Sequence, residues 1–252
     1  MARESKPVIT LLTDFGLADS YVAEVKGVLL SRAPAAVLVD VTHHVSPGDI
    51  RAGQYLLARA WHRFPVGTVH LAVVDPGVGT ARRALAAESS QGHRFVAPDN
   101  GLLSFLAEAA RFVSLPIPKG AAPTFHGRDV FAPAAAALAS GAALESLGPL
   151  VTDPHRSPLP APHHDGVAVV GEVLYVDRFG TLVSNIGGEQ VEPGVRIRVA
   201  GTDVGALRRT FGDVERGTLV AFVGSGGTVE IAVRDGSAAR LLGVGVGAEV
   251  RA

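Results

Sequence analysis

Short apolar runs alternate with amphipathic stretches through the first 150 residues of the chain. Apolar runs that are bounded by turn residues predict β-strands, whereas apolar residues that recur every three or four positions predict helices. The predicted strands are Val8 to Leu12, Ala36 to Val41, Thr68 to Val74, Ala84 to Glu88 and Phe95 to Ala97. Alternation of strands and helices is typical of α/β proteins, so the pattern predicts an α/β domain with a mostly parallel sheet.

Capping residues and glycines give the boundaries of the predicted helices. A helix is predicted after the second strand, with Asp49 as its cap and its end at about Arg63. Another helix is predicted from Leu102 to Phe112. Asp129 is a candidate cap for an alanine-rich helix that ends near Gly141.

The pattern changes near residue 150. The stretch from Pro149 to Pro162 contains five prolines and little periodic structure, which is typical of a domain boundary. We therefore predict an N-terminal domain at residues 1–150, a linker at 151–164 and a C-terminal domain at 165–252. The last of these consists of short β-rich runs between glycine turns, without a convincing helix, and predicts a small antiparallel sandwich or barrel.

Composition narrows the possible functions. The chain has 252 residues, of which 47% are hydrophobic, and its net charge is −1 without a long basic or acidic run. This balance argues against nucleic acid or a membrane surface as the main partner. Cysteine is absent, which excludes disulfides, thiolate zinc sites and a cysteine nucleophile. With neither a signal-peptide core nor a membrane-length apolar run, the expected location is the cytoplasm.

The loop after the third strand carries the first candidate chemistry. Asp75 follows the strand directly, and Arg82 comes seven residues later, beyond Gly77 and Gly79. Ligands of α/β sheets bind outside the carboxyl ends of the strands, so an acid and a guanidinium on this loop form a candidate polar site. A turn with a surface ion pair is the plain alternative.

Further polar residues fall at strand ends or in loops of the same domain, namely Asp14, His43, His44 and His126. Histidines and carboxylates are metal-ligand types, which leaves a metal site open. The fixed positive charge of Arg82 would repel a nearby cation, and adjacent histidines tend to point apart. We therefore expect no metal site, and ordinary loop histidines are an equal alternative for His43 and His44.

In the second domain, a predicted strand delivers Asp177 into a turn, and Phe179 and Asn185 follow. An acid, an aromatic face and an amide suit a ligand that has a base and an ammonium group. The plain alternative is a hairpin with a core phenylalanine. The segment from Phe222 to Gly227 forms a second glycine-rich turn, for which an ordinary hairpin is the alternative.

Six motifs in order carry a resemblance to a known family. They are Thr-Asp-Phe-Gly after the first strand, Asp-Val-Thr-His-His, Val-Asp-Pro-Gly-Val-Gly with its following arginine, Pro-Asp-Asn-Gly, Phe-His-Gly-Arg-Asp, and Asp-Arg-Phe-Gly with its following asparagine. Together they resemble the S-adenosyl-L-methionine (SAM) hydroxide adenosyltransferases, relatives of fluorinating and chlorinating enzymes, over nearly the whole chain. The resemblance implies a Rossmann-like α/β domain followed by a β-barrel. It also implies a homotrimer that binds its substrate between the N-terminal domain of one subunit and the C-terminal domain of the next.

The resemblance further implies the hydrolysis of SAM to adenosine and methionine without a metal or other cofactor. The family's catalytic triad falls on Asp75, Arg82 and His126. The implied substrate-binding residues are Asp14, Phe15 and Thr80 in the first domain and Asp177, Phe179, Asn185, Phe222 and Ser225 in the second.

Two departures from the family leave alternatives. The loop Gly224-Ser225-Gly226-Gly227 is looser than the family's methionine-binding loop, and the first domain lacks the long insertion of the fluorinating branch. The missing insertion favours hydrolysis over substitution by a halide, which the carboxylate of Asp75 would also repel. A non-catalytic module that binds adenosine or SAM is the third possibility.

Overall fold

The computed structural model describes residues 6–192 and 194–252, so residues 1–5 of the predicted N-terminal domain lie outside the described part of the chain. The described chain forms two compact units, one up to Pro158 and one from Leu159 onward. The predicted linker at 151–164 is divided between them. Its first residues belong to the first unit and its last ones to the second.

The first unit contains a single mixed sheet with helices. Its strands are β1 (Val8–Thr13), β2 (Val37–Thr42), β3 (Val69–Val73), β4 (Ala84–Glu88), β5 (Arg94–Pro98), β6 (Arg111–Leu115) and β7 (Leu150–Val151). Its helices are α1 (Tyr21–Arg32), α2 (Ile50–Ala60) and α3 (Ala132–Ala139). Asp49 caps α2 as predicted, because its carboxylate accepts a hydrogen bond from the Ala52 amide.

The order of the strands corrects the expectation of a mostly parallel sheet. The order is β2-β1-β3-β5-β4-β6-β7, and the first three pairs are parallel whereas the last three are antiparallel. The cause is the short turn between β4 and β5, in which Ser89 and His93 are hydrogen-bonded. A turn of this length can join only antiparallel neighbours. The α/β class is confirmed, and the sheet is half parallel and half antiparallel.

The predicted helix from Leu102 to Phe112 is wrong. The segment forms successive turns, with i→i+3 bonds such as that from the Ser104 amide to the Gly101 carbonyl, and then enters β6. Leu102, Leu103 and Leu106 are buried all the same. Leucines at helical spacing can therefore be buried without forming a helix.

The alanine-rich helix also begins differently from the prediction. A π-helical turn, Gly127–Phe131, precedes α3, so Asp129 lies within that turn and does not cap a helix. Its carboxylate accepts hydrogen bonds from the Ala122 amide and from Arg128. The bond to the Ala122 amide therefore connects the segment before His126 to the π-helical turn after it.

The second unit is a nearly closed, barrel-like antiparallel sheet. Its strands are β8 (His163–His164), β9 (Val169–Val176), β10 (Leu182–Gly187), β11 (Arg196–Val199), β12 (Thr202–Ala206), β13 (Leu219–Val223), β14 (Thr228–Val233) and β15 (Glu249–Arg251). The order is β12-β11-β15-β9-β10-β14-β13, with β8 beside β9. The two end strands approach each other where the Arg208 amide donates to the Ala221 carbonyl. Of the two predicted forms, the barrel is therefore the better description.

A short helix, α4 (Ala238–Leu242), corrects the expectation of no helix in this unit. The Ser237 hydroxyl caps it by accepting from the Arg240 amide. With only five residues, α4 is too short for periodicity to reveal it. Within residues 6–192 and 194–252, no helix has the length and apolar character that a membrane span requires.

Candidate active site

The loop between β3 and β4 crosses the carboxyl end of β5. Because β5 lies between β3 and β4 in the sheet, the connecting residues 74–83 must pass over its end. Two turns shape the loop, with hydrogen bonds from the Val78 amide to the Asp75 carbonyl and from the Thr80 amide to the Gly77 carbonyl. The loop therefore places Asp75 and Arg82 at the sheet edge where the sequence predicts a site.

Gly79 allows this loop to approach the segment that carries His126. Its φ of +78° favours glycine, and a Cβ at this position would lie 2.7 Å from the Pro123 carbonyl oxygen. A side chain here would push the loop away from residues 123–126. The close packing of these two segments brings the three predicted catalytic residues together.

Asp75, Arg82 and His126 form one hydrogen-bonded group. Arg82 Nε donates to Asp75 Oδ1 at 2.9 Å, and Nη2 donates to Asp75 Oδ2. Nη2 also lies 3.0 Å from His126 Nδ1. The side chains of Arg82 and Asp75 are only 9% and 5% exposed. The pair is therefore a buried bidentate ion pair, which corrects the alternative of a surface pair.

The contact with Arg82 defines the protonation state of His126. A guanidinium can only donate, so Nδ1 must accept and the ring proton must reside on Nε2. Burial, and then the charge of Arg82, lower the pKa of His126 from its usual value. His126 is thus a neutral imidazole at neutral pH, with an N–H directed away from Arg82.

One nitrogen of Arg82 has a different environment. Nη1 is buried, and no hydrogen-bond acceptor lies within reach of it in the described part of the chain. The guanidinium carbon lies 5.2 Å from the centre of the Phe131 ring. A buried donor without an acceptor costs about 1–3 kcal/mol, and more when it is charged.

The first-unit residues predicted to bind substrate lie around this loop. Asp14 Oδ2 accepts from the Gly48 amide at 2.8 Å, and a Cβ on Gly48 would lie 3.6 Å from Pro76 Cβ. Gly48 therefore lies between Asp14 and the loop, in contact with both. The Thr80 hydroxyl donates to the Gly77 carbonyl within the loop itself.

Phe15 lies next to the segment that carries His126. Its ring packs edge-on against Phe125 at 6.0 Å and against Tyr21 at 6.2 Å. A Cβ on Gly127, the residue after His126, would lie 3.2 Å from the Phe15 ring. The structure thus gathers all the predicted site residues of the first unit around one loop.

The adjacent histidines have separate environments. His43 is buried, with Nδ1 2.8 Å from the Thr13 hydroxyl and Nε2 3.1 Å from Asp40. His44 is exposed. No group of three histidine, aspartate or glutamate side chains in the described ranges is placed to hold a metal ion.

A cleft of about 980 Å³ in the second unit collects most of the other predicted residues. Asp177, Phe179, Phe222 and Ser225 line it. Residues that the sequence prediction did not single out complete the lining, including Arg178, Thr181, Phe211, Glu230, Arg234 and Arg240. Arg178 and Thr181 lie within the Asp177 motif, so their position in that turn could have identified them from the sequence as candidate lining residues.

Asn185 is not among the lining residues of this cleft. Its Oδ1 accepts from the Glu172 amide at 2.8 Å, and its Nδ2 donates to the Pro160 carbonyl at 2.9 Å. Both ends of the amide therefore hold the backbone of the second unit.

The turn between β9 and β10 presents Phe179 to solvent. Asp177 Oδ1 accepts from the amides of Phe179 and Thr181, which fixes the turn. Phe179 is 75% exposed, so it is not the core residue of an ordinary hairpin. Phe222 is only 6% exposed and packs against Phe211 with ring centres 4.6 Å apart.

Comparisons with known proteins agree with the motifs. A family model for the SAM hydroxide adenosyltransferase N-terminal domain matches residues 9–148, and a model for the C-terminal domain matches residues 171–251. An (R)-S-adenosyl-L-methionine hydrolase of Thermus thermophilus is 46% identical over 96% of this chain and 98% of its own. A fluorinase of Nocardia brasiliensis is 30% identical over 90% of each chain. An uncharacterised conserved protein from Thermotoga maritima, solved by crystallography, superposes with a TM-score of 0.90 at 37% identity, over 96% of this chain and 98% of its own.

Proposed function

The chain belongs to the SAM hydroxide adenosyltransferase family, and we propose that it hydrolyses SAM to adenosine and L-methionine. The oxygen of a water molecule attacks C5′ of the ribose in line with the C–S bond. That bond breaks, its electron pair remains on sulfur as the methionine thioether, and a proton leaves the attacking water. The full-length similarity to a named hydrolase, well above that to the fluorinase, supports hydrolysis over halide transfer.

Asp75, Arg82 and His126 have separate roles in this reaction. The sulfonium is already a good leaving group, so catalysis requires an oriented and partly deprotonated water. Each Asp75 oxygen retains acceptor capacity beyond its bond to Arg82 and can take the hydrogen bond or proton of that water. Arg82 stabilises the hydroxide character that develops, and His126 helps to orient the guanidinium through its contact with Nη2.

The observation that carries the proposal is the buried guanidinium of Arg82, held by Asp75 and His126 while Nη1 lacks an acceptor among the described residues. The fixed charge of this largely buried guanidinium favours hydroxide that develops beside Asp75. The fixed charge of Arg82 also opposes a cation at the same place. We therefore propose that the reaction uses neither a metal nor an organic cofactor.

Incubation with SAM tests this function. Chromatography should detect adenosine and methionine in equal amounts, with and without EDTA, and oxygen from ¹⁸O-labelled water should appear at C5′. A 5′-halogenated nucleoside in the presence of chloride or fluoride would instead support halide transfer. Binding of SAM without turnover would support the non-catalytic module, and loss of activity in EDTA that zinc restores would contradict the metal-free mechanism.

We propose that the active enzyme is a homotrimer, in which the first unit of one subunit and the cleft of the next complete each site. This proposal rests on the family and on the division of the predicted binding groups between the two units. Sedimentation equilibrium at assay concentrations should give three times the 25.9 kDa of one chain. A fully active monomer in the same experiment would refute it.

The parallel part of the first sheet supports a finer description of the fold. Strands β2, β1 and β3 are parallel neighbours, with α1 and α2 in the connections. We propose that this half is Rossmann-like and that the β4–β5 hairpin and its neighbours are an addition to it.

Replacement of Asp14 is expected to affect binding before chemistry. Its carboxylate binds the amide of Gly48, which lies next to the catalytic loop, and the family resemblance implies that Asp14 binds the ribose of the substrate. Asp14→Ala should raise KM for SAM about 10-fold or more while kcat falls much less, as expected for lost uniform binding. Steady-state kinetics measure both constants, and a loss confined to kcat would contradict the assignment.

A further inference from the structure

We infer that the turn Pro98–Gly101 positions the catalytic loop, and that Asn100 is its principal positioning residue. The inference rests on the proposed function. Pro-Asp-Asn-Gly is one of the six family motifs, and none of its residues belongs to the catalytic triad. In the structure this turn begins at Pro98, the last residue of β5, at the strand end that the catalytic loop crosses.

Asn100 holds the beginning of the loop. Its Nδ2 donates to the Val74 carbonyl at 2.8 Å, and Val74 is the residue immediately before Asp75. Its Oδ1 accepts from the Leu102 amide at 3.2 Å. With both ends of the amide engaged, the side chain has one orientation, so it fixes the peptide that leads into Asp75.

Asp99 holds the end of the loop. Its amide donates to the Arg83 carbonyl at 3.0 Å, and its Oδ2 accepts from Arg83 Nε at 2.7 Å. Arg83 is the residue immediately after Arg82. Two successive residues of one turn therefore bond to the two residues that flank the catalytic loop.

Asp99 is itself held from the opposite side. Its Oδ1 accepts from the His155 amide at 2.7 Å, and Arg83 Nη1 also binds Asp153. Asp99 is thereby fixed between Arg83 and residues 153–155. Gly101 allows this packing, because a Cβ there would lie 2.8 Å from Ser157 Cβ and its φ is +95°.

The consequence is that the separation of Asp75 and Arg82 is set at the two ends of the loop as well as by their own ion pair. A misplacement of about 1 Å at a reacting group can lower a rate by about 100-fold. The turn therefore acts on catalysis through Val74 and Arg83, without touching the reacting atoms.

Asn100→Asp is the sharpest test. The carboxylate retains the size of the side chain and the acceptor for the Leu102 amide, but it replaces the donor to Val74 with a second acceptor. We expect kcat for SAM hydrolysis to fall about 10- to 100-fold while KM changes less than about 3-fold. Asn100→Ser, which is too short to reach Val74 but introduces no repulsion, should lower kcat in the same direction.

Thr68→Val provides a matched control outside the loop, at the residue that precedes β3. The Thr68 hydroxyl donates to the Pro65 carbonyl at 2.7 Å, at the opposite end of β3 and about 20 Å from the loop. The substitution removes a side-chain bond to a backbone carbonyl, as Asn100→Asp does. Its kcat should remain within about 2-fold of the wild-type value even where its melting temperature falls.

A double variant separates positioning from general destabilisation. If Asn100 acts through Asp75, then Asn100→Asp should lower kcat little further in an Asp75→Asn background. A full additional loss there would overturn the inference, as would wild-type kcat in folded Asn100→Asp and Asn100→Ser. A wild-type protein that does not hydrolyse SAM would instead refute the proposed function, so the two failures are distinguishable.

Discussion

Asp75→Asn is expected to lower kcat for SAM hydrolysis about 100- to 10,000-fold, the range for loss of one general acid–base or positioning group. The variant keeps the size of the side chain and one acceptor for Arg82 Nε, but it removes the charge that polarises the water. KM should change much less, because the binding contacts are assigned mainly to other residues. Single-turnover rates at saturating SAM measure the effect directly.

Stability must be measured on the same preparations, because the Asp75–Arg82 pair is buried. Asp75→Ala would leave a buried guanidinium without its partner, and breaking such a pair costs about 3–5 kcal/mol. A lower melting temperature would therefore appear under either a catalytic or a purely structural role. A normal single-turnover rate in folded Asp75→Asn would end the catalytic assignment.

The losses in kcat from replacing the triad residues should also be non-additive. Because Arg82 binds both Asp75 and His126, removal of either neighbour takes away part of what orients the guanidinium. The double variant Asp75→Asn/His126→Ala should be little slower than the slower single variant, as is usual for residues that act as a unit. Multiplication of the two losses would show that the residues act independently.

Acidification is expected to destabilise the first unit through a buried histidine. His70 on β3 is fully buried, with Nδ1 2.8 Å from the Thr10 hydroxyl and Nε2 3.2 Å from His93. Burial, and then the neighbouring His93, lower the pKa of His70 to about 3 from 6.5. Burial also lowers the pKa of His93, beside which His62 adds further positive charge at low pH.

The direction follows from proton binding in the two states. Below pH 6.5 the unfolded chain protonates its histidine while the folded chain does not, so stability falls with pH until about pH 3. The contribution of neutral His70 is complete above pH 6.5. Between pH 8 and pH 4.5 the free energy of unfolding should fall by roughly 3 kcal/mol from this residue.

Urea unfolding of Thr10→Val/His70→Leu at the two pH values tests this explanation. The double change removes the titrating ring together with its hydroxyl partner, so the difference in unfolding free energy between the pH values should shrink by about the same amount. His164→Leu, in the exposed strand β8, removes a histidine from the surface and should keep the wild-type difference. An unchanged difference in the double variant would assign the acid sensitivity to other groups.

Local patterns predicted most strands of the first unit and the location of the site. Asp75, Arg82 and His126 could be brought together because strand ends and family motifs converge on one sheet edge. The antiparallel half of the sheet could not be predicted in the same way, because the apolar runs of β4 and β5 carry no information on direction. Residues 102–112 show the related limit, since buried leucines at helical spacing are equally well buried by consecutive turns.

The contacts that each side chain makes within the site could not be predicted from the sequence either. Nothing in the Asp177 motif distinguishes Thr181, which lines the cleft, from Asn185, whose amide is bonded to the backbone on both sides. Likewise, a seven-residue spacing permits an ion pair between Asp75 and Arg82 but does not reveal that it is buried. These facts depend on long-range packing, which pairs residues far apart in the chain.

The division of the first sheet into two halves implies an order of folding. In the β4–β5 hairpin, Glu88 pairs with Arg94 six positions away, whereas in the parallel half Ile9 pairs with Val69, sixty positions away. Closing the longer segment costs more chain entropy, so we expect the hairpin to form first and the parallel strands to join it later. Pulse-labelled hydrogen exchange should protect β5 amides before those of β1, and simultaneous protection would contradict this order. The loop that carries Asp75 and Arg82 connects the early half to the late one. A refolding chain would thus assemble the Asp75–Arg82 pair only once its first sheet is complete.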